Sequence, residues 1–247
     1  MNELYGKYAI VTGAGGGIGA ATAEIFAKEG AKGIAIADIN MKAAEDASKR
    51  IQEETGCECI AIKANVGDYK DIKNLFEVVL NKFGTLDILV NCAGICPVGS
   101  IEEIGEEEWD KVMAINLKSV YLCSREALAI MKEKKSGKII NVSSISGRIG
   151  GIATGINYAT SKGAIISLTM SMAKAAGPYN INVNSVAPGF INTDMTKDFT
   201  HFNPETVPLR RIGTAEDVAN VISFLSSEKS SYLTGLTLDI NGGVYMG

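Results

Sequence analysis

The chain is poor in histidine, tryptophan and positive charge. Its 247 residues include one histidine, His201, and one tryptophan. A single histidine leaves most Ser/His and Cys/His nucleophile schemes without a base, and His201 lies in a polar stretch that reads as surface loop. The five cysteines, at 57, 59, 92, 96 and 123, lack paired metal-ligand spacing. No structural zinc site or other metal centre is expected, and the reducing cytosol is the simplest setting for all five thiols. Lysine and arginine number 24 against 28 acidic residues, a net charge of -4, with no basic run or stripe. That balance argues against nucleic acid or an anionic membrane as partner. No apolar run approaches the ~18 residues a span needs, and "MNELYGKYAIVTG" has no basic region leading into a long apolar one. Neither membrane span nor secretion signal is expected, and the acidic "EEIGEEEWD" reads as a solvated helix start. Repeats, low-complexity tracts and Pro/Ser-rich linkers are also missing, so one domain over residues 1–247 is expected.

What the chain does have is a 46% hydrophobic content, ample for a substantial core. Short β-rich runs alternate with helix-length segments. "YAIVTG", "GIAIAD", "CIAIKAN", "DILVNCAG", "KIINVSS", "INVNSVAPG" and "LTLDING" read as seven strands. They are nearly continuous apolar runs, which suits a parallel sheet covered by helices on both faces. The expected fold is α/β and doubly wound, with ligands at the carboxyl ends of the strands.

The first strand runs into "TGAGGGIGAATAEIFAKEG", a glycine-dense turn opening a helix whose inner face is expected to carry Ile18, Ala21, Ile25 and Phe26. Glycines let the backbone approach a phosphate, and a helix N-terminus offers free N–H groups and a favourable dipole. Asp38 ends the second strand 19 residues after Gly19, where a carboxylate can accept the ribose hydroxyls of an adenosine. Farther on, "NYATSKG" sets Tyr158 and Lys162 at i, i+4 on one helical face. A fixed ammonium there would draw the phenol, which ordinarily titrates near pH ~10, towards a working acid–base range.

These motifs together resemble the short-chain dehydrogenase/reductases, NAD(P)-dependent enzymes with a single Rossmann-like domain. The resemblance runs from Lys7 to Gly243. It rests on "TGAGGGIG" with Gly13, Gly17 and Gly19, on "NCAG" at 91–94, on Asn116, on the serine pair of "NVSS", on Tyr158 and Lys162, and on "APGFINTDM". It implies catalytic roles for Asn116, Ser144, Tyr158 and Lys162. Ser144 would bind the substrate oxygen, Tyr158 would exchange its proton, Lys162 would tune the phenol and hold the nicotinamide ribose, and Asn116 would hold a water that links the lysine to solvent. Ser143 reads as structural.

For the cofactor, the resemblance implies contacts from Gly13, Gly17, Ile18, Gly19 and Asp38. Asn65 and Val66 would flank the adenine, while Asn91, Ala93 and Gly94 close over its ribose. Pro188, Gly189, Ile191 and Thr193 would fix the carboxamide, and Met195 with the residues after it would form a substrate lid. Asp38 favours NAD over NADP. A homotetramer is expected from the resemblance, from Gly163, Ala164, Ile165, Leu168, Ala173 and Ala175 on the helix after Tyr158, and from an apolar C-terminal tail read as buried.

Three departures bear on substrate. Asn65 stands where many relatives carry aspartate, the interval from Ser144 to Tyr158 is one residue longer, and Met195 to Pro208 is shorter than in the 3-oxoacyl-carrier-protein reductases that "PLRRIGTAEDVANVISFL" otherwise resembles. Expected pocket residues are Ile95, Cys96, Val98, Ile145, Ile152, Thr154 and Phe190. The leading function is interconversion of a secondary alcohol and a ketone, with 3-oxoacyl thioesters, sugars or polyols, and hydroxysteroids open as substrates. A catalytically silent dinucleotide sensor is the alternative from another class. The intact Asn116, Ser144, Tyr158 and Lys162 set speaks against it.

Overall fold

The computed structural model describes residues 2–151, 154–197 and 202–247. Each apolar run read as a strand is one: β1 (Tyr8–Thr12), β2 (Gly33–Asp38), β3 (Glu58–Lys63), β4 (Ile88–Asn91), β5 (Gly137–Val142), β6 (Ile181–Pro188) and β7 (Thr237–Ile240). They form one parallel sheet in the order 3-2-1-4-5-6-7. β1 pairs with β2 on one side and β4 on the other, so the chain reverses direction across the sheet there and opens a crevice at the carboxyl ends.

Helices cover both faces. α1 (Gly17–Lys28), α2 (Met41–Thr55) and α8 (Ala215–Ser226) pack on one, and α3 (Tyr69–Phe83), α5 (Ser119–Lys134) and α7 (Ile156–Ala176) on the other, with the short α6 (Ser146–Ile149) between β5 and α7 in the chain. Two apolar clusters result. One joins Phe26, Ile34, Ile36, Ile51, Val90 and Ile222, and the other joins Ile10, Leu75, Leu89, Met131, Ile139 and Val183. Consecutive strand residues feed opposite clusters, as in Val11 and Ile10, which is why the strands read as unbroken apolar runs.

Helix starts follow local chemistry. Asn40 caps α2 by accepting from Ala43 N–H, and Thr214 with Asp217 forms a reciprocal capping box at α8, satisfying N–H groups that the first turn leaves free. The acidic stretch begins α4 (Glu106–Met113) with Glu106, Glu107 and Glu108 exposed in its first turn. The inner face of α1 differs from expectation. Phe26 is buried, but its companions are Gly19, Ala20, Thr22, Ala23 and Ala27, while Ile18, Ala21 and Ile25 are half-buried. α1 packs on the sheet and alongside α8, and small residues let it approach both. In the tail, Val244 and Met246 are 44% and 79% exposed on the single chain.

Candidate active site

The β1 and β4 turns meet at the crevice and are stitched by one hydroxyl. Thr12 Oγ1 accepts from the backbone N–H groups of Cys92 (3.1 Å) and Ala93 (3.2 Å) and donates to Val90 O (3.3 Å). Gly13 takes φ +64°, and a Cβ there would sit 2.8 Å from Ala93 Cα. At Gly19 an added Cβ would lie 2.2 Å from Gly13 O. The glycines therefore hold a tight turn against a second loop, and their backbone faces an open cleft of about 300 Å³.

That cleft gathers most of the cofactor residues expected from sequence. Gly13, Gly17, Ile18, Gly19 and Asp38 line one end, Ala93 and Gly94 the middle, and Pro188, Gly189, Ile191 and Thr193 the far wall, with Ser144, Tyr158 and Lys162 between. Sequence reasoning missed Gly16, Cys92, Val142 and Asp194, which join the lining, as do Met195 and Thr196 of the expected lid. Gly16 lay in plain view as the N-cap of α1, and Val142 ends β5 at the carboxyl edge of the sheet, whereas the others depend on loop paths.

Three expected cofactor residues lie outside this lining. Asn65 is exposed, with its Oδ1 accepting from Gly67 N–H at 3.0 Å, and Val66 is buried beside it. Asn91 turns inward. Its Nδ2 donates to Asn141 Oδ1 (2.9 Å) and Ser124 Oγ (3.1 Å), because an amide at the end of a fully buried strand must find partners inside. Its side chain holds β4 to β5 and α5 and does not close over the cleft.

Tyr158 and Lys162 rise from the first turns of α7 into the same cleft. The Lys162 Nζ donates to Val142 O at 2.8 Å and lies 5.6 Å from the Tyr158 ring centre. Burial dominates the electrostatics of both. It holds the Lys162 ammonium down at about 8, against an ordinary 10.5. Burial likewise pushes the Tyr158 phenol well above its usual range, Cys96 and Cys92 act in the same direction, and a hydrogen bond with Ser144 offsets part of the rise. The expectation of a phenol depressed by its lysine is not met, since desolvation dominates its shift.

Asn116 sits in a π-helical turn (Ala114–Lys118) between α4 and α5. Such a bulge frees backbone groups and re-aims side chains. The Asn116 amide is fully buried, accepts from Ile95 N–H (2.9 Å), and donates to Ile95 O (2.9 Å) and Ser161 Oγ (3.2 Å). It does not line the cleft. Gly94 separates it from the lysine, for a Cβ there would lie 3.3 Å from Asn116 Oδ1 and 3.5 Å from Lys162 Nζ. Ser143 donates to Lys162 O at 2.7 Å and so fixes β5 to α7, in keeping with the structural reading.

A second cavity of about 310 Å³ opens beside the first, and Ser144, Tyr158, Gly189, Met195 and Thr196 line both. Its other walls are largely apolar, from Cys96, Ile145, Ile149, Phe190, Phe202 and Val244, with hydroxyls from Ser146 and Thr154. Of the pocket residues expected from sequence, Cys96, Ile145, Thr154 and Phe190 are present, Ile95 and Val98 are not, and Ile152 lies outside the described residues, as does His201. Val98 is instead 67% exposed. The Ser144 loop is clamped from behind by Arg148, which bonds Asp239 at 3.2 Å and Thr237 O at 3.1 Å.

A family model described as enoyl-(acyl carrier protein) reductase matches residues 13–245. The chain is 39% identical over 247 residues to the 3-oxoacyl-(acyl-carrier-protein) reductase FabG of Staphylococcus aureus, covering 97% of this chain and 98% of the relative. It is 41% identical over 246 residues to the enzyme of the same name from Thermotoga maritima, with 98% and 99% covered. A short-chain type dehydrogenase/reductase from Mycobacterium marinum superposes with a TM-score of 0.95 at 31% identity, over 100% of this chain and 98% of that one.

The chain belongs to the short-chain dehydrogenase/reductase family.

Another member, the 3-ketoacyl-(acyl-carrier-protein) reductase of Brucella melitensis complexed with NADH, superposes with a TM-score of 0.92 at 32% identity over 98% of this chain and all of that one. As a short-chain dehydrogenase/reductase the protein is an oxidoreductase of the Rossmann-like type. Its strand order opens a crevice at the carboxyl ends of the strands, and two cavities meet there at Ser144 and Tyr158.

Proposed function

We propose that this short-chain dehydrogenase/reductase interconverts a ketone and a secondary alcohol with NAD(H), and that its substrate is a 3-oxoacyl thioester or the corresponding 3-hydroxy compound. The observation that carries this reading is the placement of Ser144 and Tyr158 at the junction of the two cavities, with Lys162 behind the phenol.

The cleft fits a nicotinamide dinucleotide. A Cβ at Gly13 or Gly19 would fill its glycine turn, and the N-terminus of α1 faces the space where a pyrophosphate would lie. Gly13 to Gly19 would hold the pyrophosphate, Asp38 the adenosine ribose, Lys162 the second ribose, and Ile191 with Thr193 the carboxamide. When bound, the cofactor supplies or takes up the hydride. In reduction, Ser144 Oγ–H donates to the ketone oxygen and Tyr158 Oη passes its proton to that oxygen as the C–O bond becomes an alcohol. In oxidation the phenolate takes the proton back. An ammonium at Lys162 favours the phenolate, and both groups are buried, so little water screens their interaction.

Asp38 supports NAD over NADP. Lys42, the nearest following lysine, is engaged with Asp46 at 2.6 Å. Among the described residues lining the cleft, Lys162 is the single cation, and it is engaged with Val142 O, so no lining residue is free to offer an adenosine 2'-phosphate a positive partner. The apolar wall of the second cavity supports an acyl or other hydrocarbon substituent over a polyol. The names of the relatives support the 3-oxoacyl thioester within that class. Residues 1–247 act as one cofactor-binding and catalytic unit in the cytoplasm, assembled as a homotetramer.

Purified protein given NADH or NADPH with 3-oxoacyl thioesters, cyclic and steroid ketones, and keto-sugars tests the reading. Oxidation of NADH with the thioesters ahead of the others is expected. Turnover confined to keto-sugars overturns the substrate class, and no turnover with any ketone overturns the enzyme assignment.

A further inference from the structure

Two aromatic rings stack in the wall of the substrate cavity. Phe190 and Phe202 stack with centroids 4.0 Å apart and planes 4° from parallel, and both line the cavity beside Ser144 and Tyr158. Their supports differ. Phe190 belongs to the framework: Gly189 N–H donates to Ile240 O (2.9 Å), Phe190 O accepts from Gly213 N–H (3.1 Å), and Ile191 pairs with Gly213 in a short ladder. Phe202 precedes a closed turn, in which Asn203 Oδ1 accepts from Glu205 N–H (3.0 Å) and Val207 is buried at 4% exposure. Phe190 also borders a neighbouring cavity of about 540 Å³ bounded by Val207, Leu209 and Met246. Phe190, fixed to the sheet, therefore divides the two cavities, and Phe202, at the start of the turn closed by Asn203, stacks against it on the side of Ser144 and Tyr158.

We infer that Phe202, seated on Phe190, is a specificity-determining residue that limits the length of the ketone substituent. The inference rests on the ketone-reductase reading and deepens it. An apolar chain entering from Ser144 gains from each buried methylene until it meets a ring held by parallel stacking. A longer chain must break that stack or fold back. Replacing the ring by a small side chain leaves an apolar space beside Phe190 that a chain can fill, as apolar cavities bind apolar ligands.

The test compares Phe202→Ala and Phe202→Leu with wild type on 3-oxoacyl N-acetylcysteamine thioesters of four to twelve carbons, and in parallel on 2-alkanones of the same lengths. The ratio of kcat/KM for the longest to the shortest substrate is expected to rise at least tenfold in Phe202→Ala and by less in Phe202→Leu. In the Tyr158→Phe background, calorimetric Kd values for 2-alkanols in the presence of NAD should show the same shift without turnover. Cofactor binding reports that each variant is folded. A ratio within twofold of wild type in both folded variants, in turnover and in binding, overturns the inference. Turnover of the alkanones but not the thioesters overturns the substrate reading instead, leaving the length limit to be read from the alkanone and alkanol series.

Discussion

Asp38 and Gly15 are joined across the mouth of the cofactor cleft: the carboxylate Oδ2 accepts from Gly15 N–H at 2.9 Å, while Oδ1 accepts from Asn40 N–H at 2.9 Å. The carboxylate that would select the ribose thus also ties the glycine turn to the start of α2. In NADP it would meet a phosphate of nearly two negative charges. One like-charged pair at roughly 4 Å and an effective dielectric near 20 costs about 4 kcal/mol. A third of that suffices for about tenfold. We expect kcat/KM to favour NAD by at least about tenfold and Asp38→Ala to narrow the ratio while weakening both cofactors, since the turn loses its tie. Equal wild-type values, or an unchanged ratio in Asp38→Ala, would remove Asp38 as the selector.

Replacing Tyr158 by phenylalanine keeps the ring and deletes the proton carrier. Turnover should fall by about 10²–10⁴-fold, with the dinucleotide Kd moving only a few-fold. Lys162→Ala should damage both quantities, because the lysine would serve phenol and ribose together. Single-turnover kinetics with dinucleotide titration separates them, and a Tyr158→Phe enzyme keeping half its rate would sink the assignment.

Lys162 gives the fold a pH signature. Its ammonium titrates near 10.5 in the ordinary state and at about 8 when buried here. Between those values the unfolded chain binds the extra proton, so stability from this group rises with pH through that window. Below about pH 8 the buried charge costs up to roughly 3 kcal/mol, less the bond to Val142 O. Cofactor-free Lys162→Met should therefore melt above wild type at pH 7, with the gap shrinking towards pH 10. Melting curves of the pair at both pH values check this, and a gap that stays constant would show that the buried charge is not its source.

The outer face of α7 presents Ala164, Ser167, Leu168 and Ser171 at helical spacing, beside Met113, Leu117 and Tyr121 across a shallow groove. Small residues at that spacing let a second helix approach closely. Ile165 and Ala173, counted with them from sequence, are buried in the protomer's own core. Sedimentation at micromolar concentration should give a tetramer, and Ser167→Arg, at an exposed position, should yield smaller species. A wild-type monomer would refute the assembly.

The sequence by itself determined the seven strands, because a parallel sheet buried on both faces demands continuous apolar runs that only such a sheet explains. It also marked the glycine turn, Asp38, and the Tyr158–Lys162 pair, since each depends on short-range geometry that spacing encodes. Ser144, Ala93, Gly94 and Thr193 reached the cleft by resemblance alone, with no local pattern to announce them.

Tertiary structure alone decided where the loops turn. Asn91 faces the core because Asn141 and Ser124 wait there, and neither is near it in sequence. Val244 from the tail and Phe202 from the segment after Met195 complete one cavity with Cys96, a meeting that no periodicity records. It also decided the sign of the Tyr158 shift. An i, i+4 lysine argues for a lowered phenol, but the cost of desolvation comes from every element packed around the pair, and burial dominates the shift.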